Sequence, residues 1–246
     1  MRNIKLLIEY DGTRFSGWQI QSKARKKTIQ QEIQKACEKL LGEKVIVIGS
    51  GRTDSGVHAK AQAANFRTKS NLSLHNIKRG LNSYLPKEIC VLKVEEAGLD
   101  FHAQFDAKGK LYKYTIFNRK ERSPLNDRYS TFITYDLDIS KMKKAAKYLV
   151  GKKDFKSFQA SDKKERSSVR TIKRLDIIKK GDIIEILIDA DGFLYNMVRN
   201  IVGTLIDVGR GRIASPHLKH ILNSRNRSSA GETVPAKGLC LERVFY

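Results

Sequence analysis

The chain has few of the residues that staple small secreted folds. Its three cysteines, Cys37, Cys90 and Cys240, lie far apart and form no CxxC pair. That speaks against a disulfide framework or a cysteine zinc site and for reduced thiols in the cytoplasm. No apolar run approaches the roughly 20 residues that span a bilayer, so no membrane association is expected. The apolar stretch at the N-terminus, MRNIKLLIEYDG, is too short for a secretory leader and runs straight into a strand-like pattern. Acidic residues are scarce as well: 26 Asp and Glu face 48 Lys and Arg, a formal net charge of +22. A folded chain with that excess attracts polyanions, and the commonest in a cytoplasm are nucleic acids. The chain also lacks GxGxxG, GxxxxGK[ST] and HExxH, so nothing in it announces a nucleotide, metal or redox cofactor. VGRGR (208–212) reads as a helix end with basic neighbours rather than a phosphate loop.

The pattern that is present repeats. In the first half Ile4, Leu6, Ile8 and Tyr10 alternate as in a half-buried strand. Thr28 can cap a helix striped by Ile29, Ile33, Ala36, Cys37, Leu40 and Leu41, with Gly42 at its end. VIVI (45–48) reads as a buried strand and AQAANF (61–66) as a weaker one. Ser73 can cap a second helix, with Leu74, Ile77, Leu81 and Leu85 inward and Pro86 behind them, followed by a strand over 88–94.

The second half gives the same order. A strand over 110–117 precedes a helix carrying Met142, Ala145, Ala146 and Leu149. A hairpin over 170–178 and 182–190 follows, then a helix with Met197, Ile201, Leu205 and Val208. A short helix over 216–225 leads to a last strand over 239–246. Two β-α-β-β-α-β units predict an α+β protein of two ferredoxin-like or RRM-like halves, 1–103 and 104–246. Their sheets are expected to join into one mixed, mainly antiparallel sheet. Helices would cover one face and leave the other free as a cradle for RNA.

Among these basic residues one acid stands out. Asp54 sits in GSGRTDSGVHA (49–59), just after a predicted strand. A bare Asp in a Gly-rich turn reads as a turn residue bonding its own backbone. The whole string closely resembles the active-site motif GRTDxGVHA of the tRNA pseudouridine synthase A family. Further blocks resemble the family in order: YDGTRFSGWQIQ (10–21), FHAQFDAKGKLYKY (101–114), DFKSF (154–158), NMVRNIVGTLIDVGRG (196–211) and AGETVPAKGLCLERVFY (230–246). One departure is Gln104, where the family usually has Arg.

The resemblance implies isomerisation of uridine to pseudouridine at positions 38, 39 and 40 of the tRNA anticodon stem-loop, by a cytoplasmic homodimer with no cofactor. It also implies site residues. Asp54 would be the catalytic acid residue, as nucleophile at C1′ or as base at C2′; both routes stay open. Arg199 would be its cationic partner, on a helix otherwise mostly apolar. Tyr112 would stack on the uracil and serve loss of the C5 proton, while Tyr114, two residues on, reads as packing. Arg52, Thr53 and His58 flank the nucleophile as candidate substrate contacts. Apart from the resemblance, Lys23, Arg25 and Lys26, beside Lys27, form a basic loop that reads equally as a phosphate contact or as a solvated charge run. Trp18 reads equally as core or as base platform. A non-catalytic RNA-binding protein would need the basic surface but not Asp54, Tyr112 and Arg199 together, and an enzyme of the same fold acting at other RNA sites is the second alternative.

Overall fold

A computed structural model describes residues 1–21, 26–161 and 167–246. The chain divides into two compact units, Met1–Lys108 with Cys240–Tyr246, and Gly109–Leu239. Both combine helices with a mainly antiparallel sheet, the α+β class expected.

In the first unit, β1 (Arg2–Tyr10) buries Ile4, Leu6 and Ile8 completely on one face. α1 (Ile29–Leu41) starts where the Thr28 hydroxyl accepts from the Gln31 N–H, and it closes at Gly42. Its stripe of Ile29, Ile33, Ala36 and Cys37 is buried. β2 (Ile48–Gly49) and β3 (His58–Thr68) follow. α2 (Leu74–Tyr84), capped by Ser73, stops before Pro86 because Leu85 is forced extended. β4 (Ile89–Ala97) ends the run. The strands pair as β4-β1-β3 with β2 also on β3, all antiparallel, and Ile4, Leu6 and Ile8 face Phe66, Ala64 and Gln62.

Two strands differ from their sequence patterns. VIVI contributes only Ile48 to a ladder. Val45 and Val47 are buried and Ile46 is 76% exposed, so the alternation is real. The partners of Val47 are side chains of α1: Gln30 Nε2 donates to its carbonyl at 2.8 Å, and its N–H donates to Gln34 Oε1 at 3.4 Å. Amide side chains here satisfy backbone groups that a neighbouring strand would otherwise satisfy. The weak pattern AQAANF lies inside β3, the long strand that β1 and β2 both flank. Burial on both of its faces replaces alternation with small residues.

The face opposite the helices is only partly free in this unit. Asn3 Nδ2 donates to the carbonyls of Gly98 and Phe101, and Asn65 Oδ1 accepts from Ala103 N–H. Lys5 Nζ lies over the rings of Phe101 and Tyr246. The segment from Gly98 to Asp106 therefore covers the end of this face around Asn3, Lys5 and Asn65, while Glu9 and Cys90 toward the other end are exposed.

In the second unit, β5 (Gly109–Asn118), β6 (Thr131–Ile133), α3 (Ile139–Ala146), β7 (Gly151–Asp154), β8 (Val169–Lys180) and β9 (Ile183–Ala190) come first. α4 (Met197–Gly209) and α5 (His217–Ser224) complete it. The sheet order is β5-β9-β8-β7, antiparallel, with β6 parallel to β5. The order β5-β9-β8 is the first-third-second arrangement of a ferredoxin-like half. β6 and β7 were not foreseen. Cys240–Tyr246, which hold most of the last strand, β10 (Leu239–Phe245), group with the first unit, where Cys240 and Leu241 pair in parallel with His58 and Ala59 of β3. Among the described residues no helix is long and apolar enough to cross a membrane.

The cysteines are free. Burial pushes the Cys37 thiol up to about 12, whereas Cys90 is exposed. The thiolate is the reactive form. At pH 8 a thiol of that pKa is ionised on the order of one part in 10⁴. Iodoacetamide should therefore label Cys90 within minutes and leave Cys37 unmodified until denaturant is added, as read by peptide mass spectrometry.

Candidate active site

Asp54 lies in the loop between β2 and β3, and its neighbours tie that loop to the surrounding elements. Ser50 Oγ donates to Gln62 Oε1 at 2.6 Å, and Gln62 Nε2 donates to Gly51 O at 3.0 Å. The Thr53 hydroxyl meets the Tyr10 hydroxyl at 2.8 Å. Trp18 N–H donates to Thr53 O at 3.1 Å, and Ser55 Oγ donates to Phe15 O at 3.0 Å. Asp54 O accepts from Val57 N–H, which closes the turn. Asp54 itself is half-buried. The loop is thus tied to the end of β1, to β3 and to the strap Phe15–Trp18.

The strap needs a glycine at 17. Gly17 has φ +83, and a Cβ there would lie 2.3 Å from Thr53 O. Trp18 is 1% exposed, with its indole against Gly49, so it is core. Burial pushes the Tyr10 phenol well above its usual value, so it stays a neutral hydroxyl. His58 is buried at the start of β3, where its Nδ1 accepts from Gly12 N–H at 3.1 Å and lies 3.2 Å from Asp11 Oδ1. Arg52 is exposed and Thr53 is buried. Lys26 is exposed; Lys23 and Arg25 lie outside the described residues. Gln104 is exposed on the segment that covers the sheet.

In the second unit, Tyr112 and Tyr114 share one face of β5, opposite Ile188 and Ile186 of β9. Tyr112 is 7% exposed, with its ring edge-on to Phe193 at 5.1 Å. Tyr114 is fully buried, and its hydroxyl donates to Pro235 O at 2.8 Å and meets Thr131 Oγ1. Burial pushes this phenol well up too, which suits a fixed donor and not an acid or base. Arg199 is half-buried in the first turn of α4. Its Nε donates to Val234 O at 2.7 Å and its Nη1 to Asn196 Oδ1 at 2.9 Å. Asn196, just before α4, sits at φ 58, a left-handed conformation that Asn tolerates better than most residues.

Consecutive carbonyls, Val234 and Pro235, therefore anchor Arg199 and Tyr114. The segment they belong to is itself docked on α4. Asn200 Oδ1 accepts from the Thr233 hydroxyl at 2.6 Å and from Arg227 Nη2 at 3.0 Å. Gly203 permits the approach, since a Cβ there would lie 1.9 Å from Glu232 O. Reading the sequence for chemistry missed Tyr10, Gln62, Asn196, Asn200 and Thr233. The signal available was that they fall in or beside the same blocks as the candidate residues Asp54 and Arg199. Among the described residues no cluster of three His, Cys, Asp or Glu could hold a metal.

A family model described as tRNA pseudouridine synthase matches residues 6–106 and 145–246. The chain is 51% identical to "tRNA pseudouridine synthase A 2" of Clostridium perfringens (strain 13 / Type A), over 100% of both chains. It is 48% identical, again over 100% of both chains, to "tRNA pseudouridine synthase A" of Clostridium botulinum (strain Eklund 17B / Type B) and of Clostridium kluyveri.

Gly17→Ala places a methyl against the Thr53 carbonyl in a left-handed backbone. We expect a loss of about 2–4 kcal/mol in unfolding free energy from strain and overpacking. Gly192→Ala, whose Cβ would meet only the Arg170 side chain at 3.5 Å, should cost much less. Urea denaturation of the two variants checks the contrast.

Proposed function

Because the chain belongs to the tRNA pseudouridine synthase family, we propose that its Asp54 loop isomerises uridine at positions 38, 39 and 40 of the tRNA anticodon stem-loop. The enzyme is an isomerase that converts tRNA uridine to pseudouridine. The observation that carries the assignment to Asp54 is its setting. It stands half-buried in a loop whose flanking residues are bonded to β1, β3 and the strap, inside the string GRTDSGVHA. A side chain held this way spends little freedom on reaching a reactive position.

The reaction breaks the bond from C1′ to N1, turns the base and joins C1′ to C5; the C5 proton then leaves and N1 takes up a proton. The atoms balance with no oxidant or co-substrate, and no cofactor is assigned. Asp54 begins it as an anion, attacking C1′ or taking the C2′ proton. Arg199 supplies positive charge that favours the carboxylate, an assignment supported by a guanidinium already fixed on Val234 and Asn196. Tyr112 stacks on the uracil and serves removal of the C5 proton. Arg52, exposed beside the loop, takes the place of the flipped base or meets a phosphate. Thr53 and His58, both buried, hold the loop around the substrate. Lys23, Arg25 and Lys26 contact phosphate. The working form is a cytoplasmic homodimer, a reading that rests on the family resemblance alone.

Tritium release from C5-labelled uridine in tRNA tests the assignment. Asp54→Asn keeps the shape but not the anion, so release should vanish while tRNA binding persists; activity within tenfold of the parent would remove Asp54 from the mechanism. Chemical mapping of the product should place label loss at 38, 39 and 40. Modification elsewhere would overturn the site assignment and leave the chemistry standing.

Tyr112→Phe should lower single-turnover rates by about 10²–10⁴-fold, the usual worth of an acid–base group. If the rate drops less than fivefold, another group takes the C5 proton.

A further inference from the structure

The second unit carries a groove that none of the reactive residues uses. It has a volume of about 590 Å³ and is lined by Lys147, Tyr148, Lys153, Asp154, Lys219, Leu222, Asn223 and Arg225. The cations come from three places: Lys147 from the turn after α3, Lys153 from β7, Lys219 and Arg225 from α5 and its end. Its single acid is already engaged, since Asp154 accepts from Arg225 Nε at 3.0 Å and from Ser168 Oγ at 2.5 Å. Lys147, Lys153 and Lys219 have no ion pair among the described residues. Lysines elsewhere find carboxylates readily, as Lys60 does with Glu242 at 3.2 Å, Lys113 with Glu185 at 2.9 Å and Lys237 with Asp127 at 2.6 Å. The surroundings add charge of the same sign: from Lys141 to Lys156 the sequence holds seven lysines and one acid.

Like charges gathered around a concavity repel one another, so the arrangement costs stability unless an anion occupies it. Three ammonium groups on separate elements suit a chain of phosphates better than a single small anion. Tyr148, 37% exposed, and the Asn223 amide add a ring face and further donors. A bilayer would need a flat face, and this one is concave. The groove is also remote from the proposed chemistry within its unit. β7 is the third strand from β5, which puts it roughly 15 Å across the sheet from the strand of Tyr112.

We propose that this groove binds the phosphate backbone of the tRNA away from the modified nucleotide, as a second anchoring surface for the substrate. The proposal rests on the reading of the enzyme as acting on tRNA. Binding and catalysis are therefore measured separately, on the full chain with full-length tRNA. The variant Lys147→Gln/Lys153→Gln/Lys219→Gln removes three surface charges, with Lys→Arg at the same positions as the charge-keeping control. Neutralising two or three phosphate contacts should raise Kd at least tenfold near physiological salt. It should also flatten the slope of log K against log[salt] by about 1.5–2.5. Turnover at saturating tRNA should stay within twofold of the parent, and the Arg control should bind like the parent. An unchanged Kd and slope would overturn the proposal. So would loss of binding to phosphatidylserine vesicles with tRNA binding intact, which would assign the groove to lipid. A parent that binds tRNA but forms no pseudouridine would refute the enzymatic reading, while the binding arm still decides the groove.

Discussion

The first N–H groups of a helix have no partners within it. At the start of α1 two of them do structural work at a distance: Ile29 N–H donates to Gly17 O and Gln30 N–H to Trp18 O. That pair of bonds fixes the strap, and the strap fixes the Asp54 loop through Thr53 and Ser55. The Gln30 side chain extends the arrangement, accepting from Ile20 N–H and donating to Val47 O. A helix terminus that any protein must satisfy somehow is satisfied here by the segment that braces the Asp54 loop. The bracing of the Asp54 loop follows from ordinary backbone accounting and needs no special device.

The second unit uses the same material differently. Arg199 and Tyr114 hold adjacent carbonyls, so the cation and the tyrosine strand share one short piece of chain, and Asn200 and Thr233 dock that piece on α4. Tyr114 therefore has more than the packing role its position suggested. Its ring is core, and its hydroxyl positions the carbonyl next to the one that Arg199 uses. In both units backbone carbonyls, those of Thr53 and Phe15 in one and of Val234 and Pro235 in the other, help to fix the segment that carries a candidate residue, and a carbonyl cannot be removed by substitution. The sequence blocks are informative largely because they encode the residues that bring those carbonyls close.

Periodicity made the helices legible. Thr28, Gly42, Ser73 and Pro86 mark α1 and α2 within a residue or two, and the alternation of Ile4, Leu6 and Ile8 marks β1. Strands whose partners are unusual were harder to read. VIVI has the right alternation but takes its bonds from glutamine side chains, which no strand pattern encodes. β3 is flanked on both sides and filled with alanines, so its length was hidden. β7 reads GKKD and has no apolar residue to announce it. The cover over the first sheet depends on Asn3 and Asn65, two polar residues on a face where polarity reads as exposure. Asp54 was legible only through the length of its motif, since Asp in a Gly-rich turn is commonplace. The fixing of Arg199 by Asn196 was not legible, because a left-handed Asn before a helix leaves no periodic trace.

The division of the chain also bears on how it is made. β10 completes the sheet of the first unit, and Tyr246 OH bonds to Ala103 O beneath the covering segment. Those residues follow the whole second unit in sequence. During synthesis the first unit must wait, with β3 lacking its parallel neighbour, while more than half the polypeptide emerges. The second unit is continuous in sequence. The order of maturation is therefore reversed relative to the order of translation: the later-made unit can close first, and the earlier one is sealed by a strand that follows it. Closing so long a loop is entropically slow, and until then the exposed flank of β3 is the part of the nascent chain that most needs shielding.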